Sequence, residues 1–174
     1  MGTWNAFYVR LKTNDVIAAV RRLFPTAAIE SSAEYLGVQL GDDDFEAPEV
    51  ALADLSARFD TDVMWLGFQS AVDAFQFHHW RSGRAMRNLV YGCFAEERTW
   101  ERAEGESEPW ERAVLFGQEE LTHCLKYAGD DDQRDELRRI WRDAEILPGK
   151  MEPGLDSRGC VHMIAKHYGL PHYS

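Results

Sequence analysis

The sequence predicts an α+β fold: a largely antiparallel sheet with helices packed on one face, ferredoxin-like at its core, followed by a C-terminal helical extension. Three observations point there. From Thr61 to Phe94 aromatic and aliphatic residues recur every one or two positions with only short breaks, the pattern of consecutive sheet strands. Before that run, short strand-like segments alternate with segments of helical period; beyond Gln118 the period is helical throughout. A chain of 174 residues suffices for one well-buried core, so residues 1–174 are expected as a single domain, with 1–117 the sheet region and 118–174 the helical extension packed on it.

Trp4 to Leu11 alternates, with Phe7, Val9 and Leu11 on one side, and reads as the first strand. Thr13 or Asn14 caps a helix whose Val16, Ile17, Val20, Leu23 and Phe24 share a face and which Pro25 stops. Ala27 to Leu40 is extended. Pro48 suits the first turn of a second helix carrying Leu52, Leu55, Ser56 and Phe59 on one face.

Val63 to Phe68 is apolar almost throughout, which marks a strand covered on both sides. Phe75 to Trp80 and Ala85 to Cys93 follow as a hairpin in which Gly83 supplies the positive φ of a tight turn. Two registers fit. A two-residue turn sets Phe75 opposite Val90 and Phe77 opposite Asn88; a bulge at Gly83 sets them opposite Leu89 and Arg87. Either leaves a polar residue facing Phe77.

A near-repeat, Trp100-Glu101-Arg102-Ala103 and Trp110-Glu111-Arg112-Ala113, predicts a second hairpin across Glu104 to Pro109. Three helices close the chain. Gln118 to Tyr127 carries Leu121, Cys124 and Leu125; the next places Leu137, Ile140, Trp141 and Ala144 on one face behind Asp130, Asp131 and Asp132; the last carries Val161, Ile164, Ala165 and Tyr168 and ends at Gly169.

The net charge of −11 repels phosphate backbones and anionic headgroups, so neither nucleic acid nor a membrane surface is expected as a partner. No apolar run approaches the roughly 18 residues of a membrane span, and the N-terminus lacks the charged start and apolar core of a signal peptide. Cys93, Cys124 and Cys160 are odd in number and widely spaced, which fits reduced thiols in a cytoplasmic protein.

Familiar catalytic signatures are absent: G-x-S-x-G, a phosphate-binding glycine loop and H-E-x-x-H all fail to occur. Asp42, Asp43 and Asp44 lack the alternation and glycine of a calcium loop. Cys160, His162, His167 and His172 are spaced to splay apart on a helix, so no metal and no cofactor is expected. The segment order resembles that of small bacterial proteins in a general way, without a motif that carries a function over.

Two functional readings follow. The first is a small acidic intracellular interaction protein without catalytic activity, of immunity or regulatory type, in which Trp100, Arg102, Trp110 and Arg112 form a surface for a basic protein or for a second copy of the chain. The second is a small-molecule binder or enzyme with a pocket between sheet and helices. It would use His78 or His79, which point to opposite faces of one strand, with Cys93, Glu96 or Glu97.

Overall fold

Seven strands and six helices make up the described part of the computed structural model, residues 2–11, 13–41, 45–93, 99–149 and 157–171. The first strand, β1 (Thr3–Val9), leads to α1 (Asn14–Leu23), which starts where Thr13 Oγ1 accepts the Val16 amide at 3.4 Å. The extended segment expected over 27–40 is a hairpin of two short strands, β2 (Ala28–Ser31) and β3 (Leu36–Gln39). Ser32 closes its turn, donating its amide to the Tyr35 carbonyl at 2.9 Å and accepting the Tyr35 amide on its hydroxyl at 3.3 Å. Helix α2 (Glu49–Phe59) and strand β4 (Asp62–Gln69) complete the first half.

These six elements run β-α-β-β-α-β and their strands lie in the order β2-β3-β1-β4 with every neighbour antiparallel. That is the split arrangement of a ferredoxin-like sheet. Strands β5 (Ala74–Arg81), β6 (Arg84–Tyr91) and β7 (Trp100–Gly105) extend it outward from β4, giving one seven-stranded antiparallel sheet. Period-two alternation then sorts the side chains. Phe7, Val9, Val63, Trp65 and Trp80 pack with Val16, Val20, Leu52 and Leu55 under α1 and α2. Tyr8, Met64, Leu66, Phe75, Phe77 and Leu89 face the other way.

The second face is covered by α3 (Pro109–Leu115), α4 (Gln118–Tyr127), α5 (Asp131–Asp143) and α6 (Ser157–Tyr168). The helical extension is therefore a third layer, and β4 lies between two cores, as its unbroken apolar run requires. Ile140, Trp141, Cys160, Val161, Ile164 and Ala165 fill that layer. Helix α4 is peripheral, with none of its residues fully buried.

The hairpin register differs from both expected ones. Ser82 and Gly83 take φ of +49° and +80° and make a two-residue turn, so Arg81 faces Arg84 and Trp80 faces Ala85. A bulge then inserts Met86, and beyond it His79 faces Arg87, His78 faces Asn88, Phe77 faces Leu89 and Phe75 faces Tyr91. The one-residue shift pairs Phe77 with Leu89 and Phe75 with Tyr91 and turns Arg87 onto the α3 side of the sheet.

The second expected hairpin is corrected too. The first W-E-R-A copy is β7, but the second opens α3. Pro109 fits the first helical turn, where its missing N–H costs nothing, and the Glu111 carboxylate accepts the Glu108 amide at 2.7 Å. Gly105 ends β7 with φ +87°, where an added Cβ would overlap the Met86 carbonyl.

Candidate functional site

The two adjacent histidines of β5 enter different environments. His79 turns toward the helical extension and is 5% exposed. Its Nδ1 meets Glu108 Oε1, its Nε2 meets Asp62 Oδ1 at 3.0 Å, and Tyr168 donates its hydroxyl to Glu108 Oε2 at 2.9 Å. Arg81 Nε donates to Asp62 at 2.6 Å and Arg10 reaches its other oxygen at 3.4 Å. Carboxylates only accept, so the ring satisfies both contacts when each nitrogen carries a hydrogen.

Burial drives the Asp62 carboxyl upward, but hydrogen bonds from Arg81 and His79 outweigh it and hold the group below its ordinary range. Glu108 follows the same pattern, with burial opposed by hydrogen bonds from His79 and Tyr168. Beside it, Arg87 grips Glu111 through two parallel bonds of 2.8 and 2.6 Å, both side chains almost wholly buried. Glu108 and Glu111 thus fasten the start of α3, and Tyr168 the end of α6, to the sheet. The cluster is a closed clasp in which each of the three carboxylates is met by side-chain donors.

His78 points the opposite way, onto the α2 side, and is 2% exposed. On this face, beside the start of α2, the sheet carries an open groove of about 360 Å³. Gln76, His78, Val90 and Arg102 line it from three strands, and Glu46, Ala47, Glu49 and Val50 from the entry to α2. Strand pairing explains the assembly. Gln76 faces Val90 and Val90 faces Arg102, so one cross-strand row, polar at both ends and apolar in the middle, crosses β5, β6 and β7 on the same face.

His78 Nε2 lies 3.2 Å from Gln76 Oε1, and Gln76 Nε2 donates to the Phe45 carbonyl at 3.1 Å. The ring stacks on Trp80, 12° from parallel, and stands edge-on to Trp65. Burial, with the Arg102 charge adding to it, lowers the His78 pKa to about 4, so the ring is neutral near pH 7. Its Nδ1 is buried without a hydrogen-bond partner, and the nearest carboxylate oxygen, Glu49 Oε1, stands 3.6 Å away and an equal 3.6 Å from Arg102 Nη1.

Of the residues singled out from sequence, the groove gathers His78 and Arg102, which the sequence places in different sites. His79 is in the clasp. Cys93 donates to the carbonyls of Tyr91 at 3.3 Å and Phe75 at 3.7 Å, and burial pushes its thiol up to about 12. Glu96 and Glu97 lie outside the described residues.

The expected tryptophan surface is corrected: Trp100 and Trp110 are each 1% exposed and pack edge-on against Phe75 and Phe77 in the core. A large aromatic ring on either element gains more by filling the space between sheet and helices than by facing water. Arg112 remains exposed and reaches the Arg142 carbonyl at 3.5 Å. His162 and His167 are exposed on α6 while Cys160 is buried; His172 and Asp42 to Asp44 lie outside the described residues. Among the described residues no cluster of three His, Cys, Asp or Glu could hold a metal, and no helix is long and apolar enough to cross a membrane.

Sequence reasoning missed Gln76 and Glu49 in the groove and Asp62 and Glu108 in the clasp. Gln76 carried a signal, being two residues from His78 on one strand and hence on the same face. Glu49 carried none, since α2 places it. No family model matches the chain, and no curated protein or solved structure matches it.

Proposed function

We propose that this protein is a non-catalytic binding protein whose recognition site is the groove over His78. The observation that carries the reading is a buried histidine nitrogen, without a hydrogen-bond partner, at the floor of an open 360 Å³ groove also lined by Gln76, Glu46, Glu49 and Arg102. Concave sites with a few convergent polar groups are where small molecules bind. Catalysis is less well supported. A general base works best with a pKa near the operating pH, whereas His78 lies near 4, and a thiol held up at about 12 supplies almost no thiolate.

The net charge of −11 supports a basic protein, rather than nucleic acid, as any macromolecular partner, and reduced, widely spaced cysteines support a cytoplasmic setting. With the tryptophans in the core, neither that partner nor self-association draws support from the W-E-R-A segments.

The test is amide NMR of the ¹⁵N-labelled chain against a panel of small polar compounds at millimolar concentration. Shifts concentrated at Gln76, His78, Val90 and Arg102, and weakened in Arg102→Ala, are the expected result. A panel that moves none of these signals, or moves them equally in the variant, overturns the reading.

A further inference from the structure

Granted the groove as a recognition site, its hydrogen-bond pattern assigns a ligand class. The Phe45 carbonyl accepts from Gln76 Nε2, which turns Gln76 Oε1 toward His78. An amide oxygen only accepts, so the hydrogen of the neutral ring sits on Nε2 and Nδ1 presents a lone pair. That lone pair faces Glu49 Oε1 across 3.6 Å, a second acceptor, at a distance too long for a hydrogen bond between them. Two acceptors converging on one side of a groove call for a group with at least two N–H donors. The Glu49 carboxylate, beside His78 Nδ1, favours a cation there.

We propose that the groove binds the primary ammonium of a small amine of amino-acid size, held between His78 Nδ1 and the Glu49 carboxylate, with Arg102 placed to take a carboxylate on the same molecule. An ammonium offers three donors and fits both acceptors at once. Arg102 is half-exposed and meets Glu49 only at 3.6 Å, so a bidentate carboxylate contact improves on what it has. A cavity of 360 Å³ is at the small end of ligand sites, in keeping with a compact zwitterion. The same ammonium could reach the groove on a lysine of a protein, and the two sources separate experimentally.

The experiment titrates the full ¹⁵N-labelled chain at pH 7 with glycine, ethylammonium, N-acetylglycine and a tripeptide with blocked ends and a central lysine. Glycine and ethylammonium should shift Gln76, His78 and Arg102, glycine the more tightly, and N-acetylglycine should bind at least tenfold more weakly. Glu49→Gln, an exposed change that leaves the core untouched, should cost both amines at least tenfold without altering thermal unfolding. The His78 ring should show its hydrogen on Nε2 in the free chain. N-acetylglycine binding as tightly as glycine overturns the ammonium assignment and leaves the groove standing, as does a ring protonated on Nδ1. The blocked lysine peptide outcompeting both free amines overturns the small-molecule assignment. Silence from every probe overturns assignment and groove together.

Discussion

Glu111→Ala tests whether the sheet and its second helical layer depend on a buried charge pair. Three donors converge on that carboxylate: Arg87 Nε at 2.8 Å, Arg87 Nη2 at 2.6 Å and the Glu108 amide at 2.7 Å. After truncation the guanidinium keeps only the Glu104 and Gly105 carbonyls, at 3.3 and 2.9 Å from its Nη1, and remains 5% exposed. Breaking a buried pair by removing one partner costs about 3–5 kcal/mol, because an uncompensated charge stays behind. Against a total stability of roughly 5–15 kcal/mol that loss is large. Urea unfolding followed by emission from the six tryptophans measures it. Arg87→Met together with Glu111→Leu should recover most of the loss, since replacing both charges by apolar groups is often neutral or better. A Glu111→Ala cost below about 1 kcal/mol would refute the reasoning, as would a double variant no better than the sum of its singles.

Three further outcomes are expected. Asp62 and Glu108 are held below their unfolded values, so their contribution is complete above the ordinary carboxylate range, about pH 4, and is lost as pH falls through the native values. Stability should therefore drop steeply on acidification in the wild type and less steeply in His79→Gln; parallel pH profiles would contradict the clasp. Cys93, its thiol pushed up to about 12, should react slowly with a disulfide reagent at pH 8 in the native chain and as fast as an unstructured thiol in urea. Rapid native labelling of Cys93 would count against its burial. Trp100→Ala should destabilise by about 3–5 kcal/mol, the cost of an emptied core site, whereas a surface tryptophan would change stability by about 0.5 kcal/mol or less.

Local sequence fixed what local physics decides. The Thr13 cap, the stop at Pro25, the positive φ at Gly83 and the apolar faces of α2, α5 and α6 each follow from a few neighbouring residues, and the doubly covered β4 follows from its unbroken apolar run. The antiparallel sheet with a ferredoxin-like core followed from their order. The cap that makes Trp110 helical was also legible, in Pro109 and in Glu111 three residues after Glu108, but the near-repeat of Trp100 to Ala103 drew the reading toward a hairpin.

Tertiary structure alone decided the rest. The Met86 bulge rests on nothing local, for the turn is an ordinary two-residue turn; what selects it is the gain from facing Phe77 with Leu89 and turning Arg87 toward Glu111, residues 12 and 24 positions away. The clasp joins Asp62, His79, Glu108 and Tyr168 across four segments, and the groove joins Glu49 to His78 and Arg102 through the packing of α2 on the sheet. The residues alone settled most of the helices and strands, though not the hairpin of β2 and β3 or the helix at Trp110, and settled that His78 and His79 face apart. Which carboxylate each histidine meets was left to packing, because charge contacts between distant segments leave no periodicity in the chain that makes them.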